Sequence, residues 1–483
     1  MKTKSIILLV VVMGAALAVS AQNEDDAIRY TNIVPMGTAR FTSMGGAMGA
    51  IGGDLTASVY NPAGLSVYRS DQLSFSMMWT NDKSTSKYFG TTSSTNTGSF
   101  KFSNVGFVSV FPTDDDDNGL KMFNFGFIYN RMANFEGGYV AKGYNNASSL
   151  LDKAVDDFNA DPWEGDPFFK SDLFIYDSVA HKYYNDYEDI GGVYGSNQRK
   201  AVTTEGNLGE YNIIFGANFN DAWYLGGSLN IMRVNYRQRS KYTETPDIKD
   251  FAFEDFSVLD EFWTIGGGVN LKLGVIGWLN ESLRIGAAFH TPTILSLCDD
   301  YGTRVESAVY YTDENGKEFI SKQNNNTTGT IDWELTLPAK FIGSVAVVAR
   351  DRGMINLDCE LVNYSSTSMN VGDDYDETNG KISDIYHTAF NARLGGEMTF
   401  GPAVVRAGFG FYGSPYVSNH VNSSANQFVY SIGAGYRGHY GFIDMGYSLQ
   451  TKKETTYLYT YSISEASLKR KLGNFIVTAG VRF

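Results

Sequence analysis

The last nine residues read Phe475-Ile476-Val477-Thr478-Ala479-Gly480-Val481-Arg482-Phe483. Phe475, Val477, Ala479, Val481 and Phe483 fall on one parity and Thr478, Gly480 and Arg482 on the other; only Ile476 breaks the rule. A period of two is that of a β-strand with one greasy and one polar face. The same alternation sets Phe428, Tyr430, Ile432, Ala434 and Tyr436 against Ser431, Gly433, Gly435 and Arg437, and it recurs from Tyr211 to Phe219.

Moving outward from the C-terminus, such runs predict strands at 72-79, 99-111, 121-134, 209-219, 222-236, 262-273, 282-295, 334-349, 353-364, 387-400, 402-412, 426-437, 440-458 and 467-483. The number is even, and the connections alternate between long and short. Thr80 to Gly98, Phe135 to Leu208, Arg237 to Glu261 and Ser296 to Trp333 are long, whereas Asn220-Asp221, Arg350-Asp351-Arg352 and Gly401 are tight. Long loops at one end and tight turns at the other mark an all-β, 14-stranded antiparallel transmembrane β-barrel of the bacterial outer membrane. A soluble β-sandwich has no reason to gather its long loops at one end.

The N-terminus agrees. Residues 1-21 carry two lysines, an apolar run from Ile6 to Leu17 and the small-residue site Val19-Ser20-Ala21, which predicts a secretory signal peptide cut after Ala21. The apolar run is shorter than the ~20 residues a helical span needs. No later stretch is long and apolar enough either, so any span is β.

Which face meets lipid follows from cost. A lysine or arginine at the bilayer midplane costs ~2–4 kcal/mol on the lipid side of a barrel. The parity holding Lys272, Arg284, Asp358, Glu360, Arg393, Glu397, Arg406, Arg437, Asp444 and Arg482 therefore points inward. Both signs occur there, as expected of a wall that bonds to itself or to a plug rather than of an open anion pore. Arg284, His290, Asp358, Glu360, Arg393 and Arg406 are the polar candidates for the lumen, either to meet a ligand's polar end or to satisfy one another.

Several functions are excluded. A net charge of −14 lacks the clustered positive charge that nucleic acid requires. Five scattered histidines, two cysteines and the absence of G-x-S-x-G or H-E-x-x-H leave no catalytic constellation and no metal or other cofactor site. The run Asp114 to Gly119 begins like a calcium loop but has Phe125 where the bidentate glutamate belongs. Gly46, Gly49 and Gly52 are spaced vaguely like a nucleotide loop, with no strand before them. Cys298 and Cys359 lie too far apart in the pattern to predict a bridge.

Residues 22-70 do not alternate. They are rich in Gly, Ala, Met and Ser, which suits short, closely packed helices, and so short a piece would struggle to bury a core by itself. Folding it into the barrel mouth would hide its backbone and block free diffusion. The phrases GTAR (Gly37 to Arg40), MGGA (Met44 to Ala47) and YNPAGL (Tyr60 to Leu65), ahead of a fourteen-strand pattern, resemble the FadL/TodX family of outer-membrane transporters of hydrophobic compounds. RIGAAFHTPT (Arg284 to Thr293), LPAKFIGSVAV (Leu337 to Val347) and VRAGFGFYGSPY (Val405 to Tyr416) extend the resemblance along the chain.

That resemblance implies a barrel, 71-483, corked by a partly helical hatch, 22-70, which passes apolar molecules such as long-chain fatty acids by passive diffusion. Hatch gating would fall on Arg40, Met44, Gly45, Gly46, Asn61, Pro62, Ala63 and Gly64. Asn-Pro-Ala would form a rigid turn, since proline fixes φ and asparagine bonds its own backbone. Implied partners are a hydrophobic small molecule, outer-membrane lipid and lipopolysaccharide, and the barrel-assembly machinery at Phe483, with a monomeric protein. The alternative is a FadL-like barrel that binds proteins as a PorV-type secretion shuttle.

Two further expectations concern special segments. In the insertion 135-208, Ala147 to Phe158 has the stripe of an amphipathic helix, followed by Trp163, Phe168, Phe169, Leu173, Phe174 and Tyr176, and this makes either a capture site or a mini-core. Strand parity slips at Asn104-Val105, and Arg131 would face lipid unless its strand bulges. A kink around Asn130, Arg131 and Asn134 is thus the expected lateral exit.

Overall fold

The computed structural model describes residues 24-483 apart from 114-118, 248-250, 315, 317, 350-351, 371-375 and 460-463. The signal segment 1-21 and the acidic run from Asp114 lie outside the described residues. Fourteen antiparallel strands form one closed ring. They are β1 (Gln72–Tyr88), β2 (Thr91–Pro112), β3 (Leu120–Asn134), β4 (Ser196–Phe219), β5 (Trp223–Pro246) and β6 (Phe253–Trp278). Then come β7 (Leu283–His290 continued by Thr293–Thr312), β8 (Glu318–Leu337 continued by Lys340–Ala349), β9 (Gly353–Asn363) and β10 (Thr388–Phe400). β11 (Ala403–Tyr412), β12 (Gln427–Arg437), β13 (Gly441–Thr456) and β14 (Ala466–Arg482) complete the set. Closure runs from Gln72↔Arg482 to Lys87↔Ser467.

The expected faces are observed. Leu73, Phe75 and Trp79 of β1, Leu229 and Ile231 of β5, and Val269, Leu271 and Leu273 of β6 stand exposed on the outside. Arg284, Asp358, Glu360, Arg393, Glu397, Arg406 and Asp444 are buried on the inside. An apolar belt around a polar interior is the exterior of a transmembrane barrel, and no helix among the described residues is long and apolar enough to cross a membrane.

The strands run further than expected at the end bearing the long connections. β1 and β2 continue past Thr80 and meet at Phe89-Gly90, both with positive φ. Here Thr80, Asp82, Ser84 and Ser86 face inward and Asn81, Lys83, Thr85 and Lys87 outward, so both faces are polar and the hydrophobic alternation vanishes where the sheet leaves the bilayer. β4 and β5, at 24 residues each, are more than twice the ~9–11 a span requires. At the opposite end, Asn220-Asp221 forms the expected tight turn with φ of 53° and 58°, the double left-handed conformation that matches strand twist.

In the insertion, a helix spans Leu150–Ala160, capped by Ser149 and Asp152 acting reciprocally. Its Leu151, Ala154, Val155 and Phe158 are buried as the stripe predicts. Phe158 stacks on Phe169 at 4.8 Å and Phe168 on Phe174 at 6.2 Å. Tyr187 and Leu151 join Tyr242, Phe256 and Tyr459 in one cluster. Phe158, Phe168, Phe169 and Phe174 thus belong to a mini-core that fastens the insertion over the strand ends, while Trp163 and Tyr176 stay exposed.

Candidate functional site

Residues 24-70 lie within the ring as α1 (Glu24–Arg29), α2 (Ala39–Ser43), α3 (Leu55–Tyr60) and a 3₁₀ turn, Pro62–Val67. Helices this short gain little from their own hydrogen bonds and are held by caps and by the wall. Thr38 accepts from Phe41 N at the start of α2 and donates to the Asp54 carboxylate at 2.8 Å. Asp54 in turn accepts from Thr56 N and Ala57 N at 2.9 and 3.2 Å and so caps α3. One pair of side chains therefore fixes both helix starts.

Inward charges complete the fastening. Arg40 grips Glu397 through Nε and Nη2 at 2.9 and 3.2 Å. The same carboxylate accepts from Arg406 Nε at 2.6 Å, and Arg406 Nη1 reaches Asp444 at 2.7 Å. Met48 N and Gly49 N both donate to Asp358 at 3.1 Å. Arg284 Nη1 donates to Ile51 O at 3.0 Å. At the end of α3, Lys272 Nζ meets Val59 O at 3.2 Å and His290 Nε2 meets Tyr60 O at 2.7 Å, which satisfies carbonyls that a helix end leaves open. Lys272 is balanced by Glu210 at 2.6 Å.

Arg284, His290, Asp358 and Arg406 thus hold the N-terminal segment directly or through a shared carboxylate. Glu360 and Arg393 chiefly hold each other, at 2.9 Å.

The wall makes room with glycines. A Cβ on Gly226 would lie 2.2 Å from Pro62 C, and one on Gly274 would lie 1.9 Å from Asn61 Oδ1. Asn61 Oδ1 accepts from Ala63 N, and its Nδ2 donates to Gly49 O at 2.7 Å, so the Asn61-Pro62-Ala63 turn is held from both sides. Gly64 O accepts from Gly53 N. Gly45 and Gly46 take φ of +65° and +77°, and a Cβ on wall residue Gly408 would meet Met44 C and Gly45 N at 2.2 Å.

The wall has a break where the parity slips. The β2–β3 ladder stops at Asn104↔Asn130, Ser103 is skipped in the β1–β2 register, and β3 shifts against β4 between Arg131 and Ala133. Ser103 turns inward and donates to Gly37 O at 2.8 Å; Asn130 Nδ2 donates to Met36 O at 3.0 Å. Among the described residues, side chains alone bridge the strands beyond the last rung. Arg131 Nε donates to Phe102 O at 2.8 Å, Asn134 Nδ2 to Ser99 Oγ at 3.3 Å, and Lys101 pairs with Glu136 at 2.6 Å. The ladder thus ends at Asn130, with Met36-Gly37 lying across the inner side of the break.

Sequence reading missed the upper lumen. There α1 and Tyr30 pack among Phe135, Tyr236, Phe262, Leu297 and Trp333. Tyr30 lies edge-on to Phe135 and Tyr236, and the Arg29 guanidinium sits 4.5 Å from the Tyr236 ring centre. The six residues of α1 carry too little pattern to show a buried face.

No protein-family model matches the chain, and no curated protein matches it. Solved structures do. Over 93% of this chain and 99% of the other, the toluene transporter TodX of P. putida superposes with a TM-score of 0.53 at 12% identity. A Pseudomonas aeruginosa FadL homologue gives 0.56 at 14% identity over the same shares.

The fold is that of the FadL/TodX transporters.

The Ralstonia pickettii toluene transporter TbuX agrees, at 0.50 and 13% identity over 94% of this chain. Such coverage leaves almost nothing outside the FadL/TodX fold. The chain is thus a transmembrane β-barrel of the outer-membrane kind, as the greasy belt requires independently.

Proposed function

We propose that this barrel carries hydrophobic small molecules across the outer membrane without chemistry. The ligand enters the aromatic upper lumen around Tyr30, Tyr236 and Trp333, and residues 24-70 act as a hatch that blocks free diffusion. Release is by passive lateral movement through the β2–β3 break once Met36-Gly37 shifts. The observation that carries this reading is the coincidence of the two features: the wall's ladder stops at Asn104↔Asn130, and the same Asn130 is bonded to the hatch backbone. The carriers named above for toluene support an apolar ligand, and a long acyl chain is the finer reading, since it can thread the same lumen. The break and the hatch are proposed as its gate, with Arg40, Asn61 and Pro62 positioning it.

Cells expressing the chain should take up a long-chain fatty acid or toluene faster than cells lacking it; equal uptake of both compounds would reject transport. One observation favours the protein-shuttle alternative. Among the described residues, Glu318 to Trp333 of β8 pairs only with β7, which leaves a sheet edge that an extended segment of another protein can join. Loss of secreted surface proteins with unchanged uptake would select that reading.

A further inference from the structure

The outer wall carries a groove of about 1150 Å³ just above the apolar belt. Its floor is one straight row of outward residues: Arg233 of β5 opposite Gly267 of β6, then Ser296 of β7, Glu334 of β8 and Asn370 beside it. The row below, Ile231, Val269 and Ile294, is exposed and wholly apolar, whereas the row above is mixed, with Asn235, Ile265 and Cys298. Gly267 and Ser296 leave the middle of the row low, while Trp263, held by its indole N–H on Asn235 Oδ1 at 2.8 Å, forms a wall.

The charges at the two ends differ in sign. Higher on β5, Arg237 and Arg239 approach Glu261 at 3.9 and 3.3 Å, and Lys241 approaches Glu306 at 3.6 Å. Arg233 and Glu334 form no ion pair among the described residues. Their backbones are three strand spacings apart, roughly 14 Å. The row thus carries opposite charges at its two ends, with uncharged Gly267 and Ser296 between them.

We propose that this groove binds the headgroup of a membrane lipid that carries a phosphate next to a primary amine, a phosphoethanolamine. The phosphate lies on Arg233 and the ammonium on Glu334, and the acyl chains run down over Ile231, Val269 and Ile294. A purely anionic headgroup meets Glu334 unfavourably and a purely cationic one meets Arg233, so a zwitterion alone is complementary at both ends. A guanidinium is the side chain best shaped for phosphate oxygens. The surface is independent of what the lumen carries.

The test is native mass spectrometry of the full barrel released from nanodiscs containing equal phosphatidylethanolamine and phosphatidylglycerol. Wild type should retain phosphatidylethanolamine at least fivefold over phosphatidylglycerol. R233Q and E334Q should each bring the ratio near one, as should S296F, which fills the floor with an apolar ring. K87Q, on the outer face of distant β1, should leave it unchanged. Heat-modifiable migration confirms that each barrel is closed. Equal retention of both lipids by wild type, or a ratio unmoved by R233Q and E334Q in closed barrels, would overturn the assignment.

Discussion

Arg40 of the N-terminal segment and Glu397 of β10, 357 positions apart in sequence, form a two-pronged contact at 2.9 and 3.2 Å with both side chains buried. Removing one partner of a buried pair strands the other charge, at about 3–5 kcal/mol. Glu397 keeps Arg406 when Arg40 is lost, so the cost of R40A falls at the low end and is borne by the N-terminal segment rather than the wall. R40A should raise single-channel conductance while leaving barrel closure intact, whereas E397A should also lower the melting temperature by several degrees. Planar-bilayer recording and thermal scans separate the two.

Gly226 and Gly274 face the Asn61-Pro62-Ala63 turn with no room for a side chain. Overpacking costs about 1–3 kcal/mol, and the N-terminal segment lacks the ladder that holds Gly226 and Gly274 on both sides, so it is the segment that gives way. G226V should therefore assemble as a heat-modifiable barrel with a protease-sensitive hatch. A protected hatch in G226V would contradict the fit described.

The β2–β3 break predicts a lock. With Cys298 and Cys359, both free in the structure, changed to serine, the pair S99C/N134C places two thiols on facing positions across the break, at the site where Asn134 Nδ2 now donates to Ser99 Oγ at 3.3 Å. Oxidation should close the bridge and reduce uptake of an apolar ligand at least tenfold, and reductant should restore it. Unchanged uptake in the fully bridged protein would place release elsewhere.

The insertion should respond to pH. Burial raises Asp186 to about 6, while its carboxylate still accepts from Ala252 N at 3.2 Å. Glu244, bonded by Tyr187 and Ser196, is likewise raised by burial. An acid whose folded pKa lies above its unfolded value binds protons more readily when folded. Its contribution is present at low pH and is lost as pH rises through about 6. Protection factors near Tyr187, corrected for the intrinsic exchange rate at each pH, should therefore rise from pH 7 to pH 5, and D186N should flatten the part of that change due to Asp186.

Strand number, parity and the tight turn at Asn220-Asp221 were legible because each is local: period two within the bilayer and a left-handed pair at the hairpin. The extensions beyond the membrane were not, since Asn81 to Lys87 are polar on both faces and carry no periodic signal. Asn130 and Arg131 were legible as a parity slip. Their partners Met36 and Phe102, and the bond of Ser103 to Gly37, were hidden, because a bulge re-aims a side chain only once the neighbouring strand is in place. The inward charges announced a bonded wall, but which of them held the N-terminal segment depended on long-range closure, as Arg40 and Glu397 show.

The most direct test compares the bilayer conductance of the full mature chain with that of a variant lacking residues 22-67. A closed barrel fastened to its own leading segment predicts a low-conductance protein that becomes a large, steadily open pore on deletion. Equal conductance of the two, with both barrels folded, would contradict it.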